Sequence, residues 1–237
     1  MSTAADGPDG GGGTDRGGIW AVLVAAGRGE RRGEDRPKAF VRLGELPLLA
    51  QSLRRLDESE SVDGVVLVAP PEWEEPAILL AEELGTSKVA ACVPGGETRS
   101  ASVRAGVAEV PGDATVILVH DCARPLLPPD VIPRLLEALA DGWDGAVPGL
   151  PVVDTVKRVA GGGVAETLKR DELVAVQTPQ AFVASVLRGA LGAEAPDCAS
   201  LVEAAGGRVA VVPGDERLLK VTTKADLERV AGWLAAE

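Results

Sequence analysis

From residue 19 onward the chain alternates short aliphatic runs with longer amphipathic stretches, and nothing else in it narrows the fold as far. The runs Ile19–Ala25, Val65–Ala69, Val89–Val93 and Val116–Val119 carry no charged side chain and are rich in valine. Such runs make strands buried on both faces. Leu46–Leu56, Glu74–Leu84, Thr98–Val110 and Val131–Leu139 instead space apolar residues three and four apart, which lines one side of a helix. Pro129 and Asp130 stand where a helix start uses them, and Gly85 and Gly142 where helices end. Strand–helix alternation predicts an α/β fold with a doubly wound, mostly parallel sheet and right-handed crossovers. Ala146–Pro148 reads as one more strand.

The alternation stops between about Pro151 and Gln177. Two runs of alternating polar and apolar residues flank Gly161, Gly162 and Gly163 there, the pattern of a long hairpin arm rather than of another strand–helix unit. Regular order resumes with a helix near Ala181–Leu191, a short helix near Ala199–Ala205, a strand at Arg208–Val212 and a last helix at Lys224–Leu234. Residues 1–18 are mostly glycine, aspartate and small polar residues. They bury too little surface to offset the entropy of ordering and read as a disordered tail. Residues 19–237 then form a single domain, with the arm at about 151–177.

A chain of 237 residues buries about 70% of its surface on folding, so its core needs no disulfide or metal. The net charge of −12 argues against a general binder of nucleic acid or acidic membrane, either of which needs a basic surface. No apolar stretch approaches the ~20 residues of a membrane span. Cys92, Cys122 and Cys198 are odd in number, widely spaced and without a CxxC pair, which points to thiols in a reducing compartment. The first residues also lack the basic start and apolar middle of a signal peptide. The expectation is a cytoplasmic protein with no nucleic-acid or membrane partner.

The first strand runs into Ala25-Ala26-Gly27-Arg28-Gly29, with Gly33 and Pro37-Lys38 soon after. Small residues let backbone N–H groups approach an anion closely, as phosphate loops require. Residues 28–38 hold five basic side chains against three acidic ones, a local excess of positive charge in an acidic chain. An exposed glycine turn with solvated charges has the same composition. No GxxxxGK[ST] string occurs, and Gly27, Gly29 and Gly33 miss the GxGxxG spacing by one residue. The second strand ends in Val68-Ala69-Pro70-Pro71, without the acid a dinucleotide site places there.

A second cluster, His120-Asp121-Cys122-Ala123-Arg124-Pro125, follows the fourth strand. In a parallel sheet it shares the carboxyl edge with the first loop, where ligands bind. A carboxylate there suits a metal ion or a sugar hydroxyl, and an arginine suits a phosphate; a structural Asp–Arg turn is the alternative. His120 is the only histidine, which excludes paired-histidine mechanisms and favours a structural hydrogen bond. Gly95-Gly96-Glu97-Thr98-Arg99-Ser100-Ala101-Ser102 forms a glycine turn entering a helix, with hydroxyls placed to cap it or meet a ligand. Thr178-Pro179-Gln180 opens the later helix, and Lys220 stands between apolar neighbours before the last one.

These strings in this order resemble one family. Ala25-Ala26-Gly27 through Pro37-Lys38, Gly95-Gly96-x-x-Arg99-x-x-Ser102-Val103, His120-Asp121-x-Ala123-Arg124-Pro125, Asp154-Thr155-Val156-Lys157, Gln177-Thr178-Pro179-Gln180 and Lys220-Val221-Thr222 are similar to those of 2-C-methyl-D-erythritol 4-phosphate cytidylyltransferases. The resemblance covers about residues 19–235. It implies a Rossmann-like sheet of the nucleotidyltransferase type with a β-hairpin dimerisation arm. It also implies a reaction: CTP and methylerythritol phosphate give the CDP-linked alcohol and pyrophosphate, with Mg²⁺ or another divalent cation, in the non-mevalonate route to isoprenoids.

By the same resemblance, Arg31 and Lys38 stabilise the transition state around the α-phosphate. Ala25, Ala26, Gly27, Gly96, Glu97 and Ser102 line the cytidine and phosphate site, with Cys122 near the ribose. Asp121, Arg124, Thr178 and Lys220 face the sugar phosphate, Lys220 holding it for attack, and the metal rides mainly on the CTP phosphates with Asp121 beside it. The arm crosses to a partner subunit, so that Thr155 and Arg170 serve the neighbouring site of a homodimer. Two positions depart from the family. Cys122 stands where it often has alanine, and Pro196-Asp197-Cys198-Ala199-Ser200 replaces a common Thr-Asp-Glu/Asp-Ala-Ser string. Pro196 removes a hydroxyl and an N–H donor, while Asp197 keeps a helix cap. Two other readings stand beside this one: a ribitol 5-phosphate cytidylyltransferase with the same CTP site, and a non-catalytic nucleotide-binding regulatory module.

Overall fold

The computed structural model describes residues 18–27 and 36–236. The expected tail, except Gly18, and Arg31 with its basic neighbours lie outside the described residues. Gly18 already belongs to the fold, since its carbonyl accepts a hydrogen bond from Thr115 N at 3.0 Å.

Along the chain come β1 (Ile19–Val24), the short pair β2 (Arg42–Leu43) and β3 (Leu46–Pro47), α1 (Leu48–Asp57), β4 (Gly64–Ala69) and α2 (Glu74–Glu83). Then follow β5 (Val89–Pro94), α3 (Arg99–Ala108), β6 (Val116–Asp121), α4 (Val131–Ala140) and β7 (Gly145–Pro151). The arm holds β8 (Lys157–Ala160), β9 (Gly163–Thr167) and β10 (Val174–Val176). The chain returns through β11 (Gln180–Val183), α5 (Ala184–Ala190), α6 (Cys198–Ala204), β12 (Val209–Pro213) and α7 (Lys224–Leu234). None of the described helices is long and apolar enough to cross a membrane.

The main sheet has the order β10-β7-β11-β6-β1-β4-β5, with β12 on the other side of β7. Strands β5, β4, β1 and β6 run parallel, β11 lies antiparallel between β6 and β7, and β12 runs parallel to β7. The fold is therefore α/β, Rossmann-like and mostly parallel. Side chains of each central strand alternate between two cores. Ala21, Leu23, Val65, Leu67 and Leu118 meet α1, α2 and α4 on one face; Val22, Val66, Val68, Ile117 and Val119 meet α3, α5 and α6 on the other. Leu49, Leu53 and Leu56 of α1 are fully buried, each contributing about 1.5–3 kcal/mol. A third, smaller core joins Val221 and Val230 to Leu43, Leu48 and Leu126 and seats α7.

Three expectations need correction. Gln180–Val183 is a strand, not the opening of a helix: its backbone pairs with β6 and β7, and Ala181 and Phe182 go to opposite cores. Four residues are too few for period two to be told from period 3.6. Leu46–Pro47 pairs with Arg42–Leu43, so α1 starts at Leu48. Val89–Pro94 is an edge strand with half-exposed side chains rather than one buried on both faces.

The arm is a hairpin, as its sequence pattern predicts. β8 and β9 pair antiparallel, and Gly161 and Gly162 turn between them at φ 57° and 80°, a region that costs glycine little. Val153, Val159 and Val164 stand 77%, 63% and 65% exposed on it.

Candidate active site

Parallel strands β1, β4, β5 and β6 all end at one edge, and a cavity of about 480 Å³ opens there. Its wall includes Ala25–Gly27 after β1, Lys38 and Ala39 on a single helical turn, and Asp121–Ala123 at the end of β6. Gly96–Arg99 and Ser102 at the start of α3 and Lys220 and Thr222 before α7 complete it. The first and third strand-end loops lie against each other. A Cβ at Gly95 would stand 2.0 Å from the Ala26 Cβ, so only glycine allows the approach. Ser102 Oγ accepts from Gly96 N at 3.1 Å and donates to Thr98 O at 3.0 Å, while Thr98 Oγ1 caps α3 through Ala101 N. These hydroxyls shape a turn of exposed backbone, the kind of surface that receives a phosphate.

Asp121 holds the electrostatic centre. Arg99 Nε and Nη2 donate to its Oδ1 at 3.2 and 3.1 Å, and Lys220 Nζ donates to Oδ2 at 2.7 Å. Burial by itself would raise this carboxyl, yet Arg99 and then Lys220 outweigh it and hold the pKa at about 2. The Asp121 side chain is 9% exposed and that of Lys220 41%, so the ammonium is far more open to solvent than the carboxylate. Among the described lining residues, Lys38, Arg99 and Lys220 oppose Glu97 and Asp121, a positive excess inside an acidic chain.

The neighbouring titratable groups are held neutral. Burial lowers His120 to about 4, and its ring bonds to Arg124 O and Thr178 Oγ1, both at 3.1 Å. Burial raises the Cys122 thiol to about 12, so it offers no thiolate nucleophile near neutral pH. Among the described residues no three of His, Cys, Asp and Glu gather as a metal cage.

The sequence profile of the 2-C-methyl-D-erythritol 4-phosphate cytidylyltransferase family matches residues 19–235. The chain belongs to that family. A cytidylyltransferase of this name from Nocardia farcinica is 47% identical over 214 residues, 89% of this chain and 91% of the relative. One from Rhodococcus jostii is 45% identical over 217 residues, 90% of this chain and 93% of the relative. The crystal structure of the Thermus thermophilus cytidylyltransferase superposes with a TM-score of 0.73 at 34% identity, covering 92% of this chain and 98% of that one. The chain is thus a CTP-dependent nucleotidyltransferase.

Of the residues the cytidylyltransferase resemblance singles out, Ala25, Ala26, Gly27, Lys38, Gly96, Glu97, Ser102, Asp121, Cys122 and Lys220 line this cavity together. Arg124 and Thr178 stand behind its wall. The Arg124 guanidinium donates to Leu218 O at 2.5 Å and Val176 O at 3.5 Å, and Thr178 Oγ1 accepts from Asp121 N at 3.0 Å. Thr155 and Arg170 lie exposed on the arm, Arg170 donating to Val153 O, and neither lines the cavity of its own chain. Arg31 falls outside the described residues. Asp197 caps α6 through Ser200 N at 2.9 Å.

Sequence reasoning missed Arg99 as a site residue. A signal was present: Arg99 is the first residue of α3, where the helix dipole disfavours a cation, so an arginine there calls for an anion.

Proposed function

We propose that this cavity seats CTP beside the phosphate of 2-C-methyl-D-erythritol 4-phosphate and joins them. A phosphate oxygen of the polyol forms a bond to the α-phosphorus of CTP, the bond to the β-phosphate bridging oxygen breaks, and pyrophosphate leaves. The products are 4-CDP-2-C-methyl-D-erythritol and pyrophosphate, in the non-mevalonate supply of isoprenoid precursors. Attacker and target are both anionic, so the catalyst must lower their repulsion and fix their approach. Lys38 carries charge at the α-phosphate, joined by Arg31 on the family likeness. Lys220 holds the polyol phosphate for attack, and Ala25–Gly27, Gly96, Glu97, Ser102 and Cys122 form the nucleotide wall.

The observation that carries this reading is that Lys38 and Lys220, distant in sequence, line one cavity with Asp121. Both Asp121 oxygens are engaged by Arg99 and Lys220, which fits a cation held chiefly by nucleotide phosphates. Mg²⁺ so bound would withdraw charge from the phosphate oxygens. The exposed valines of the arm, with Thr155 and Arg170 turned to no site of their own, support a homodimer in which each arm completes the partner's site.

A turnover assay with CTP, Mg²⁺ and either polyol phosphate tests the reaction. Pyrophosphate release with methylerythritol phosphate is expected. A wide preference in kcat/KM for ribitol 5-phosphate would replace the substrate, and nucleotide binding without turnover would remove the catalytic reading.

A further inference from the structure

We propose that Gln177 is a positioning residue for Lys220, through an anchor that the root of the arm shares with the Lys220 loop; this rests on the role given to Lys220 above. Gln177 lies between β10 and β11 and is 4% exposed. Its side-chain amide pairs with the backbone of Asp215 as a neighbouring strand would. Nε2 donates to Asp215 O at 2.8 Å, and Oε1 accepts from Asp215 N at 3.0 Å.

Both halves of this pair are fastened to β7. Gln177 N donates to Pro148 O at 2.8 Å and Gly214 N to Gly149 O at 2.9 Å. The fit leaves no room for a side chain, because a Cβ at Gly214 would stand 2.4 Å from Gln177 Oε1. From this anchor the loop folds onto itself. Asp215 O also accepts from Leu218 N at 3.0 Å, and Asp215 Oδ1 accepts from Arg217 N at 2.7 Å. Arg124 then ties Leu218 O, and Val221 N donates to Ala123 O at 2.8 Å. Lys220 therefore projects between points fixed on both sides, and its ammonium reaches Asp121.

Removing this buried amide leaves Asp215 N without its acceptor, while Asp215 O keeps only the bond from Leu218 N. Released there, the loop moves Lys220, and displacement of a positioning group by about 1 Å costs up to ~10²-fold in rate. Among the described residues, the nucleotide wall built from β1, the Gly95–Ser102 turn and β6 makes no hydrogen bond to Gln177, so it should keep its place. The loss is thus specific to the polyol phosphate.

The test uses the full chain, with wild type, Gln177→Leu and Gln177→Glu. Gln177→Leu should lower kcat/KM for the polyol phosphate by ~10-fold or more while the Kd for CTP, from equilibrium binding, changes less than twofold. Gln177→Glu keeps the acceptor and regains a donor on protonation, so its activity relative to wild type should rise as pH falls. An equal loss on both substrates, or polyol-phosphate kinetics within twofold of wild type, overturns the assignment. Should Gln177→Leu fail to fold, a flat pH ratio for Gln177→Glu overturns it instead. If wild type prefers another polyol phosphate, the substrate reading falls, and the same ratios taken with that substrate still decide on Gln177.

Discussion

Lys220 Nζ and Asp121 Oδ2 stand 2.7 Å apart at the rim of the cavity. The same carboxylate is gripped on its other oxygen by Arg99. Because Arg99 already balances Asp121, the proposed role of Lys220 needs only that its ammonium turn from this ion pair to an incoming phosphate.

Replacing either ammonium should therefore cost catalysis and not folding. Lys38→Ala and Lys220→Ala are each expected to lower kcat/KM by ~10²-fold or more, with circular dichroism unchanged. Near-wild-type pyrophosphate release from both variants would remove the proposed chemistry.

Arg99→Ala should behave differently, because its partner is buried. Asp121 would retain only the half-exposed Lys220 and lose two hydrogen bonds, costing about 1–3 kcal/mol of stability. It would also draw Lys220 away from substrate. Urea unfolding together with KM for the polyol phosphate checks both; a stability unchanged from wild type would contradict the account.

His120 makes the fold sensitive to acid. Its pKa falls from an ordinary 6.5 to about 4 through burial, so below 6.5 the unfolded chain takes up a proton that the folded one refuses. Stability should decline from about pH 6.5 to about pH 4 and then cease to depend on this residue. His120→Gln should flatten the urea midpoint across that window; an unchanged slope would exclude His120 as its source.

Asp121 acts in the same direction in a lower pH window. Its pKa lies at about 2, below the ordinary carboxylate value, so its contribution is complete above about pH 4 and is lost as pH falls towards 2. The stability difference between wild type and Asp121→Asn should shrink over that lower window, which separates the two groups.

The arm carries the assembly prediction. Val159 and Val164 are opposed on β8 and β9, and both are exposed. Val159→Asp combined with Val164→Asp should shift the chain from dimer to monomer in light scattering. Loss of activity should follow, as Thr155 and Arg170 would no longer reach a partner. A wild-type monomer that is fully active would exclude the shared site.

The valine runs, the helical spacing of leucines and the glycines of the arm were sufficient for the parallel strands, most of the helices and the hairpin. Those features are local: periodicity and small side chains follow from backbone geometry alone. Ten of the residues that line the cavity were reached only through the likeness of the ordered strings to a family. The partners were decided by tertiary contact. Gln180–Val183 became a strand because β6 and β7 offered backbone groups on both sides. Arg124 was drawn out of the cavity by carbonyls of Leu218 and Val176, and Arg99 entered it because Asp121 lay within reach. Which buried charge meets which counter-charge depends on distances across the sheet that no spacing along the chain encodes.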